Sequence, residues 1–313
     1  MKPSVEEVPE IDSRPDLRQV QKISGVSLRG THLIIGGDGL IGAALYQRLT
    51  QTGKSVIATT RRKAPMSEAT TYLDLSEPNT WQIPAENRVA YICAAISRYA
   101  DCHADPEGSR LTNVTNTTRL VRHLVESGCF VMFVSSNSVF DGRLPYRKIT
   151  DPVDPQTEYG RQKAEVEAQI SELGDRVCIL RVTKVFPKNP PLLMNWIAAL
   201  RNGTIIRPFQ DLTCAPVPLE TISECLIRLG STEKPGIWHL SGDRDVSYAE
   251  LASELAERSN LDRSLINPQS VRSSSHYSEH IPRFTSLDCS LTQDELSVKP
   301  PSVSEMLDWI VPA

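Results

Sequence analysis

Three side chains in the middle of this sequence have the types and spacing needed to transfer a proton to a carbonyl oxygen. Tyr159 and Lys163 are four residues apart in the segment YGRQK, so a helix would place both on one face. An ammonium beside a phenol favours the phenolate, and we therefore expect Lys163 to lower the pKa of Tyr159 from its usual ~10. Ser136 ends the apolar run CFVMFVSS and adds a hydroxyl. Because YxxxK pairs are common on solvated helices, the surrounding elements must decide its meaning.

A glycine-rich stretch upstream, HLIIGGDGLIG, has the pattern of a strand, a turn and the start of a helix. Gly36 permits the tight turn, Gly39 lets the backbone approach a pyrophosphate, and Gly42 lets the helix pack on its strand. The free N–H groups of the helix that begins near Leu40 would then face the phosphates. The spacing is GxxGxxG rather than GxGxxG, so its weight comes from the flanking strand and helix.

Strand and helix patterns alternate through the first half of the chain. Apolar runs of strand length occur at 55–60, 70–75, 88–95 and 129–136, and a long helical pattern runs from Pro106 to Ser127. Near-continuous apolar strands are typical of parallel sheets buried on both faces. The sequence therefore predicts an α/β fold with a doubly wound parallel sheet, the Rossmann fold. Ligands bind beyond the carboxyl ends of such strands, where Ser136 lies.

Changes in composition suggest how the chain is divided. Residues 1–30 read as a polar N-terminal extension, and residues 31–185 as a Rossmann domain that binds NAD(P). Prolines at 187, 190 and 191 then interrupt the periodicity, as at a boundary between lobes. We expect residues 186–313 to form mainly a smaller, substrate-binding lobe, with segments of about 215–260 returning to the Rossmann domain.

The second predicted strand ends in a basic turn that bears on the choice of cofactor. An NAD site usually carries an acid about 20 residues past the glycines, to bind the ribose hydroxyl. This chain has Arg61 and Arg62 there instead, which suits a 2′-phosphate and favours NADP(H) over NAD(H). The alternative is a solvated basic turn. Asp74 and Leu75, at the end of the third strand pattern, are placed to contact an adenine edge.

The composition excludes several classes of function. The chain has 313 residues, 40% of them hydrophobic and 23% charged, with a net charge of −4, so nucleic-acid binding has little support. Its seven cysteines include no CxxC motif and no His pair with ligand spacing, and we expect reduced thiols, no metal site and a cytoplasmic location. The sequence has no apolar run near the ~18 residues of a membrane span, and its start has no secretory h-region.

Several short segments together resemble the extended short-chain dehydrogenase/reductases and, within them, the dTDP-4-dehydrorhamnose reductase group. The resemblance extends from about residue 32 to 311. The glycines and YxxxK are shared by a very large superfamily, whereas the VFDG and LDCS segments are narrower signals. The segments are GGDGLIG (36–42), CAA (93–95), SSNSVFDG (135–142), YGRQKAEVE (159–167), ILRVTKVF (179–186), APVPLETIS (215–223), GIWHLSGDRDVSYAELA (236–252) and PRFTSLDCS (282–290).

The resemblance implies a role for each matching residue. Tyr159 would donate a proton to a keto oxygen, Lys163 would lower its pKa and bind the nicotinamide ribose, and Ser136 would hydrogen-bond the substrate carbonyl. Asn113 would be an orienting or proton-relay residue. The expected cofactor contacts are Gly36, Asp38, Gly39, Leu40, Ile41, Gly42, Arg61, Arg62, Asp74, Leu75, Ala94, Ala95, Asn113, Tyr159, Lys163 and Val185. The expected substrate contacts are Ser136, Asn137 and Arg207, of which Arg207 is a candidate for a diphosphate or, equally, for an ion pair with Asp211.

The chain also departs from the pattern of that group. Ser136–Asn137–Ser138 stands where these reductases typically read Thr-Asp-Tyr, which also argues against a sugar dehydratase, because that branch needs an acid pair after the Thr. We expect NADPH-dependent reduction of a keto group on a nucleotide-linked sugar. Two alternatives remain: an NAD-dependent nucleotide-sugar epimerase, and a catalytically silent NADP-binding regulatory protein. A homodimer is possible.

Overall fold

A seven-stranded parallel sheet forms the centre of the structure. This computed structural model describes residues 31–63, 69–84, 87–273 and 280–311, so the predicted extension at 1–30 lies outside the described residues. The strands are β1 (Thr31–Ile35), β2 (Val56–Thr60), β3 (Thr70–Tyr72), β4 (Asn87–Ile92), β5 (Phe130–Ser136), β6 (Val177–Val182), β7 (Lys184–Phe186), β8 (Thr213–Cys214), β9 (Pro216–Pro218), β10 (Gly236–Leu240) and β11 (Val246–Ser247).

The order of the strands creates a crevice at the middle of the sheet. The order is β10-β6-β5-β4-β1-β2-β3, and every neighbouring pair is parallel. The chain moves outward in one direction from β1 to β3 and then returns to β4 on the other side of β1. Ligands bind at such a reversal, beyond the carboxyl ends of the strands. Ile35 and Ile92 are register partners at the ends of β1 and β4, the two strands at the crevice. The parallel strand order confirms the predicted Rossmann fold.

Helices cover both faces of the sheet. They are α1 (Leu40–Gln51), α2 (Tyr99–Ala104), α3 (Pro106–Arg110), α4 (Thr117–Glu126), α5 (Glu158–Ser171), α6 (Pro191–Arg201), α7 (Leu219–Thr232), α8 (Tyr248–Arg258), α9 (Ser290–Leu296) and α10 (Val303–Ile310). One core cluster packs α1 and α7 against the sheet through residues such as Leu45 and Leu226, and the opposite cluster packs α4 and α5 through Leu120 and Ile170.

A third core cluster lies outside the sheet and joins α6, α8 and α10 through Leu193, Leu251 and Leu307. Two small sheets accompany it, β7 with β9 and β11 with β8. Within the predicted return segment, β10 joins the edge of the main sheet beside β6, whereas α8 packs in the third cluster. The boundaries proposed for the two lobes stay a prediction.

Three elements differ from what the sequence pattern predicts, two in where a strand ends and one in the type of helix. The third strand ends at Tyr72 rather than at Leu75, because Asp74 turns the chain by accepting from the backbone N–H of Ser76. The helical pattern from Pro106 to Ser127 contains a π-helical segment, Leu111–Asn116, where one residue per turn is added. The fourth strand ends at Ile92, before Ala94 and Ala95.

Two further findings concern the cysteines and the helices. None of the seven cysteines forms a disulfide, and six of them are buried. In the described ranges, no helix combines the length and the apolar character needed to cross a bilayer.

Candidate active site

The turn between β1 and α1 has the geometry of a phosphate cradle. Gly36 has a positive φ of 89°, which favours glycine, and its N–H donates to Thr59 Oγ1 over 3.0 Å. A Cβ on Gly42 would clash with the carbonyl of Gly36, so the helix can approach its strand only with glycine there. Gly39 caps α1, and within the described part of the chain the cap has no side-chain hydrogen bond. The first N–H groups of a helix in this place are the ones that bind phosphates in dinucleotide sites.

A small charged cluster lies beside this turn at the end of β2. The carboxylate of Asp38 accepts a hydrogen bond from the hydroxyl of Thr60, and the Nε atom of Arg62 lies 3.9 Å from Asp38 Oδ2. Arg61 is exposed next to them. Two guanidinium groups therefore stand where the adenosine ribose of a dinucleotide would end, with one of them partly neutralised by Asp38.

Four further predicted cofactor contacts lie at the start of α1 and just after β3, and Asp74 and Leu75 are the two predicted near the adenine. Leu75 is buried, and its carbonyl accepts from Asn116 Nδ2 over 2.7 Å. The carboxylate of Asp74 is occupied by the N–H and hydroxyl of Ser76. Leu40 is partly exposed at the start of α1, and Ile41 is half-buried against the core. An adenine contact for Asp74 would therefore have to share its carboxylate with Ser76.

Asn113 acts as a clamp behind the site. Its side chain accepts from the N–H of Ile96 at 2.8 Å and donates to the carbonyl of the same residue at 2.9 Å. It also donates to Gln162 Oε1 over 2.7 Å. Asn113 lies in the π-helical segment and holds the chain just after Ala94 and Ala95, of which Ala94 packs on Gly36. The clamp joins the crevice to the residue that precedes Lys163.

The start of α5 packs on the turn that follows β5. Thr157 caps α5 by accepting from the N–H of Gly160 over 3.1 Å. A Cβ on Gly160 would clash with the carbonyl of Ser138, so glycine is required at this contact. The close approach carries Tyr159, the neighbour of Gly160, to the strand end that holds Ser136.

Tyr159 does not have the lowered pKa that the sequence predicts. Burial raises the pKa of Tyr159 well above its usual value, and the neighbouring Tyr99 and Cys102 raise it further. The ring of Tyr99 stacks on that of Tyr159, with centroids 5.4 Å apart. The prediction was wrong because Lys163 donates to another group and the half-buried Tyr159 loses part of its contact with water under neighbouring side chains such as Tyr99. The phenol is therefore neutral at pH 7.

Lys163 is buried and bound to the backbone. Its Nζ donates to the carbonyl of Val134 over 2.8 Å and lies 4.3 Å from the centre of the Phe133 ring. Its distance to the centre of the Tyr159 ring is 5.8 Å. Burial lowers the pKa of Lys163 to about 8, although the charge of Glu167 opposes this. A lysine with this pKa can gain or lose a proton near neutral pH.

Ser136 ends β5 in a short network of hydroxyls. Its Oγ accepts from the N–H of Ser138 at 3.1 Å and donates to Ser138 Oγ at 3.0 Å. Asn137 Oδ1 lies 3.5 Å from the same hydroxyl. The hydroxyl of Ser138 in turn bonds to that of Tyr99. The network shows that Ser136 is one member of a set of polar groups at this strand end.

Two site neighbours were missed by the sequence reasoning. Glu167 follows Lys163 by one helical turn, and its carboxylate forms a buried ion pair with Arg181, Nη2 to Oε2 2.6 Å. Arg181 lies in the apolar strand β6, and its Nη1 is 3.3 Å from His239 Nε2. The spacing of Tyr159, Lys163 and Glu167 at every fourth position could have pointed to Glu167, but it gives no signal for Arg181.

The predicted contacts of the second lobe are less closely connected to this site. Val185 lies on β7, is half-buried, and pairs in register with Val217. Arg207 is exposed on a segment between the isolated bridges at Ile206 and Phe209. Asp211 accepts instead from the hydroxyl of Ser270 and from the N–H of Val271, at 2.5 and 2.7 Å. A diphosphate contact for Arg207 therefore stays a prediction.

The residues at the crevice fit a nicotinamide dinucleotide. The glycine turn presents backbone N–H groups at the start of α1. Arg61 and Arg62 follow the neighbouring strand β2, and Ser136, Tyr159 and Lys163 lie near the carboxyl end of β5. Among the described residues, no group of three or more His, Cys, Asp or Glu side chains is placed to hold a metal ion.

This fold and this arrangement of residues define an extended short-chain dehydrogenase/reductase. The chain belongs to the family whose model is described as the RmlD substrate binding domain, which matches residues 31–312. The match confirms the resemblance drawn from the sequence segments.

Comparisons with individual proteins give relatives of two kinds. The chain is 24% identical over 277 residues to methionine adenosyltransferase 2 subunit beta of Bos taurus, covering 82% of this chain and 80% of that protein. It is 23% identical over 286 residues to the probable low-salt glycan biosynthesis reductase Agl14 of Haloferax volcanii, covering 88% and 95%. Among solved structures, dTDP-4-dehydrorhamnose reductase of Bacillus anthracis, in complex with NADP, has a TM-score of 0.76 and 16% identity, covering 91% and 98%.

Proposed function

We propose that this chain is an oxidoreductase that reduces a keto group on a nucleotide-linked sugar, with NADPH as its preferred cofactor. The family match and the reductase among its relatives support the general class. The choice of sugar nucleotide is supported by that likeness alone, whereas the reaction type rests on the residues at the strand edge.

The observation that carries the proposal is the contact between the start of α5 and the turn after β5. It places Tyr159 beside the strand end of Ser136, because Gly160 lies directly against Ser138. Lys163 lies one turn further along α5, bonded to the carbonyl of Val134 in the same strand. A hydroxyl, a phenol and an ammonium thus converge at the carboxyl edge of the sheet.

The protonation states fit reduction better than oxidation. Tyr159 is neutral at pH 7, as any phenol with a pKa at or above the usual ~10 is, so it carries a proton that it can give to the keto oxygen. Ser136 would donate a hydrogen bond to the same oxygen as negative charge develops on it. The positive charge of Lys163 would then stabilise the tyrosinate left behind. Bound NADPH would supply the hydride.

The expected loss of activity in Tyr159→Phe tests the role of the phenol. General acids contribute about 10²- to 10⁴-fold to such steps, so kcat should fall by about that factor while the Kd for NADPH changes by less than about twofold. The measurement is NADPH absorbance during incubation with a panel of nucleotide-linked keto-sugars. Tyr46→Phe, which removes a buried phenol on the opposite face of the sheet, is the control. Equal rates for wild type and Tyr159→Phe would refute the proposal.

The basic turn sets the expected cofactor preference. The double variant Arg61→Ala/Arg62→Ala should bind NADPH about tenfold or more weakly, because each charged hydrogen bond contributes about 1.5 to 3 kcal/mol, and should leave NADH binding unchanged. Lys54→Ala is the matched control. Lys54 lies just before the amino end of β2, whereas Arg61 and Arg62 follow its carboxyl end. An equal loss for both cofactors would instead support the solvated basic turn.

The relatives also support a second candidate function. Methionine adenosyltransferase 2 subunit beta covers most of this chain, and Ser136–Asn137–Ser138 departs from the usual reductase triplet. The chain would then be a non-catalytic subunit of a methionine adenosyltransferase. Sedimentation of this chain mixed with the catalytic subunit of such an enzyme, with and without NADPH, distinguishes the two. A stable complex together with no NADPH oxidation across the sugar panel would favour the second function.

A further inference from the structure

Tyr99 is an aromatic side chain in direct contact with Tyr159, the proposed proton donor. It begins α2, is 39% exposed, and stacks on Tyr159 at 5.4 Å with the ring planes 30° apart. One side of its ring thus covers Tyr159, and part of the side chain faces solvent.

Tyr99 also ends a line of hydroxyl groups. Its Oη bonds to Ser138 Oγ, and Ser138 Oγ lies 3.0 Å from Ser136 Oγ. In the structure Ser136 donates to Ser138. When a keto oxygen binds, rotation of the hydroxyls lets Tyr99 donate to Ser138 and Ser138 donate to Ser136, and the hydrogen of Ser136 is then released to point at that oxygen. Hydroxyls linked in this sense polarise one another, so the last donor becomes stronger. In the opposite sense, Ser136 donates its hydrogen to Ser138 and has none to donate to the substrate.

The ring that stacks on Tyr159 comes from α2, and residue 138 contributes a hydroxyl that bonds to it. The backbone carbonyl of the same Ser138 is in close contact with Gly160, the neighbour of Tyr159. The Tyr99–Ser138 bond fixes the ring in this position.

We propose that Tyr99 is the positioning residue of the keto-group site: its hydroxyl directs the hydrogen of Ser136 toward the substrate through Ser138, and its ring holds Tyr159 in place. The proposal rests on the proposed function, because it assigns Tyr99 to the same reaction. Tyr99 acts through Ser138 and Tyr159.

The hydroxyl line is tested by a double-mutant cycle. Tyr99→Phe keeps the stacked ring and removes the hydroxyl, and Ser138→Ala breaks the line at its centre. Each should lower kcat by about three- to tenfold with KM changed by less than twofold, and the double variant should be no worse than either single variant. Tyr72→Phe, which removes a phenol bonded to Glu77 at the other edge of the sheet, should change neither constant. If the two losses in kcat multiply in the double variant, the two hydroxyls act independently and the proposed hydroxyl line is refuted.

The ring is tested without any substrate. The groups facing the phenol of Tyr159 are Tyr99 and Cys102 on α2 and Lys163 on α5. The pKa of Tyr159 is measured from tyrosinate absorbance during alkaline titration, with the Tyr159→Phe titration subtracted. Tyr99→Leu should lower that pKa by at least one unit, because water reaches the phenol, and by clearly more than Tyr99→Phe, which keeps the ring and removes only the charge interaction between the two phenols. An unchanged pKa in Tyr99→Leu would overturn the ring's role.

The two readouts separate this proposal from the proposed function. If no keto-sugar is reduced by the wild type but the pKa of Tyr159 falls in Tyr99→Leu, the reductase function fails and the positioning of Tyr159 by Tyr99 stands. If the wild type is an active reductase and neither readout responds to changes at residue 99, the reductase function stands and the role of Tyr99 fails.

Discussion

Two of the glutamate–arginine ion pairs of helix α5 use glutamates that are two residues apart and lie on opposite faces of the helix. On the inner face, Glu167 pairs with Arg181, and the two side chains are only 5% and 3% exposed. On the outer face, Glu165 pairs with Arg110 through two nitrogens, and the side chains are 33% and 52% exposed. The chemistry of the two pairs is the same, and their surroundings differ.

The inner face is also the face that carries the proposed reaction groups. Tyr159, Lys163 and Glu167 follow one another at every fourth residue, so they form one line along the buried side of the helix. The outer face borders a groove of about 610 Å³ between α4 and α5, lined by Arg110, Arg119 and Gln169 among others. None of the residues predicted for the site lines this groove. Burial, more than charge or cavity size, marks the side of the helix that does chemistry.

The largest effect in this comparison is expected from Glu167→Gln. The change leaves the guanidinium of Arg181 buried without its counter-charge, which costs about 3 to 5 kcal/mol. The measurement is the free energy of unfolding from urea denaturation at pH 7. The same change should also lower the pKa of Lys163 further, because the charge of Glu167 supports the lysine cation.

A paired variant separates the charge from the packing. In Glu167→Met/Arg181→Met both charges are removed and the volume is largely kept, so most of the lost stability should return. If the double variant is as unstable as Glu167→Gln, the cost lies in packing around Ser135 and Phe140 rather than in the unpaired charge.

The general fold could be predicted from the sequence because it depends on local patterns. The predicted start of α1 at Leu40, the apolar run of β5 and the glycines of the first turn are all properties of neighbouring residues, and the structure has them in place. The same reasoning brought Ser136, Tyr159 and Lys163 to one edge of the sheet. Their roles in catalysis stay proposals.

The features that the sequence did not reveal depend on distant contacts. The raised pKa of Tyr159 comes first from burial, and Tyr99, which stacks on its ring from 60 residues earlier in the chain, raises it further. Local spacing suggested a phenolate because Lys163 is near in sequence, whereas in the fold its Nζ donates to Val134. The Glu167–Arg181 pair joins a helix to a strand, and no periodicity marks both partners.

A second prediction concerns the charge of Lys163 on the inner face. Its pKa is about 8 in the folded chain and about 10.5 when the side chain is free. Between these values the unfolded chain binds more protons, so the folded state gains stability as pH rises, by at most about 3 kcal/mol. Below pH 8 both states are protonated and the full cost of burying the cation remains.

Comparison of the wild type with Lys163→Met isolates this contribution. The difference in free energy of unfolding, wild type minus variant, should rise between pH 8 and 10 and should be flat between pH 6 and 7.5. Taking the difference cancels the titration of the cysteines and tyrosines that both proteins share. A flat difference across the whole range would mean that Lys163 keeps an ordinary pKa.

The smallest effect is expected on the outer face. Glu165→Gln should lower the free energy of unfolding by only about 0.2 to 1 kcal/mol, because water solvates Arg110 once its partner is neutral. The effect should shrink further in high salt, since exposed charges are screened, whereas the cost of Glu167→Gln should persist. Urea denaturation of both variants at low and at high salt measures this contrast. A salt-independent loss of several kcal/mol in Glu165→Gln would contradict this view. The geometry of the two-nitrogen contact, rather than burial, would then determine how much a glutamate–arginine pair of this helix contributes to the free energy of unfolding.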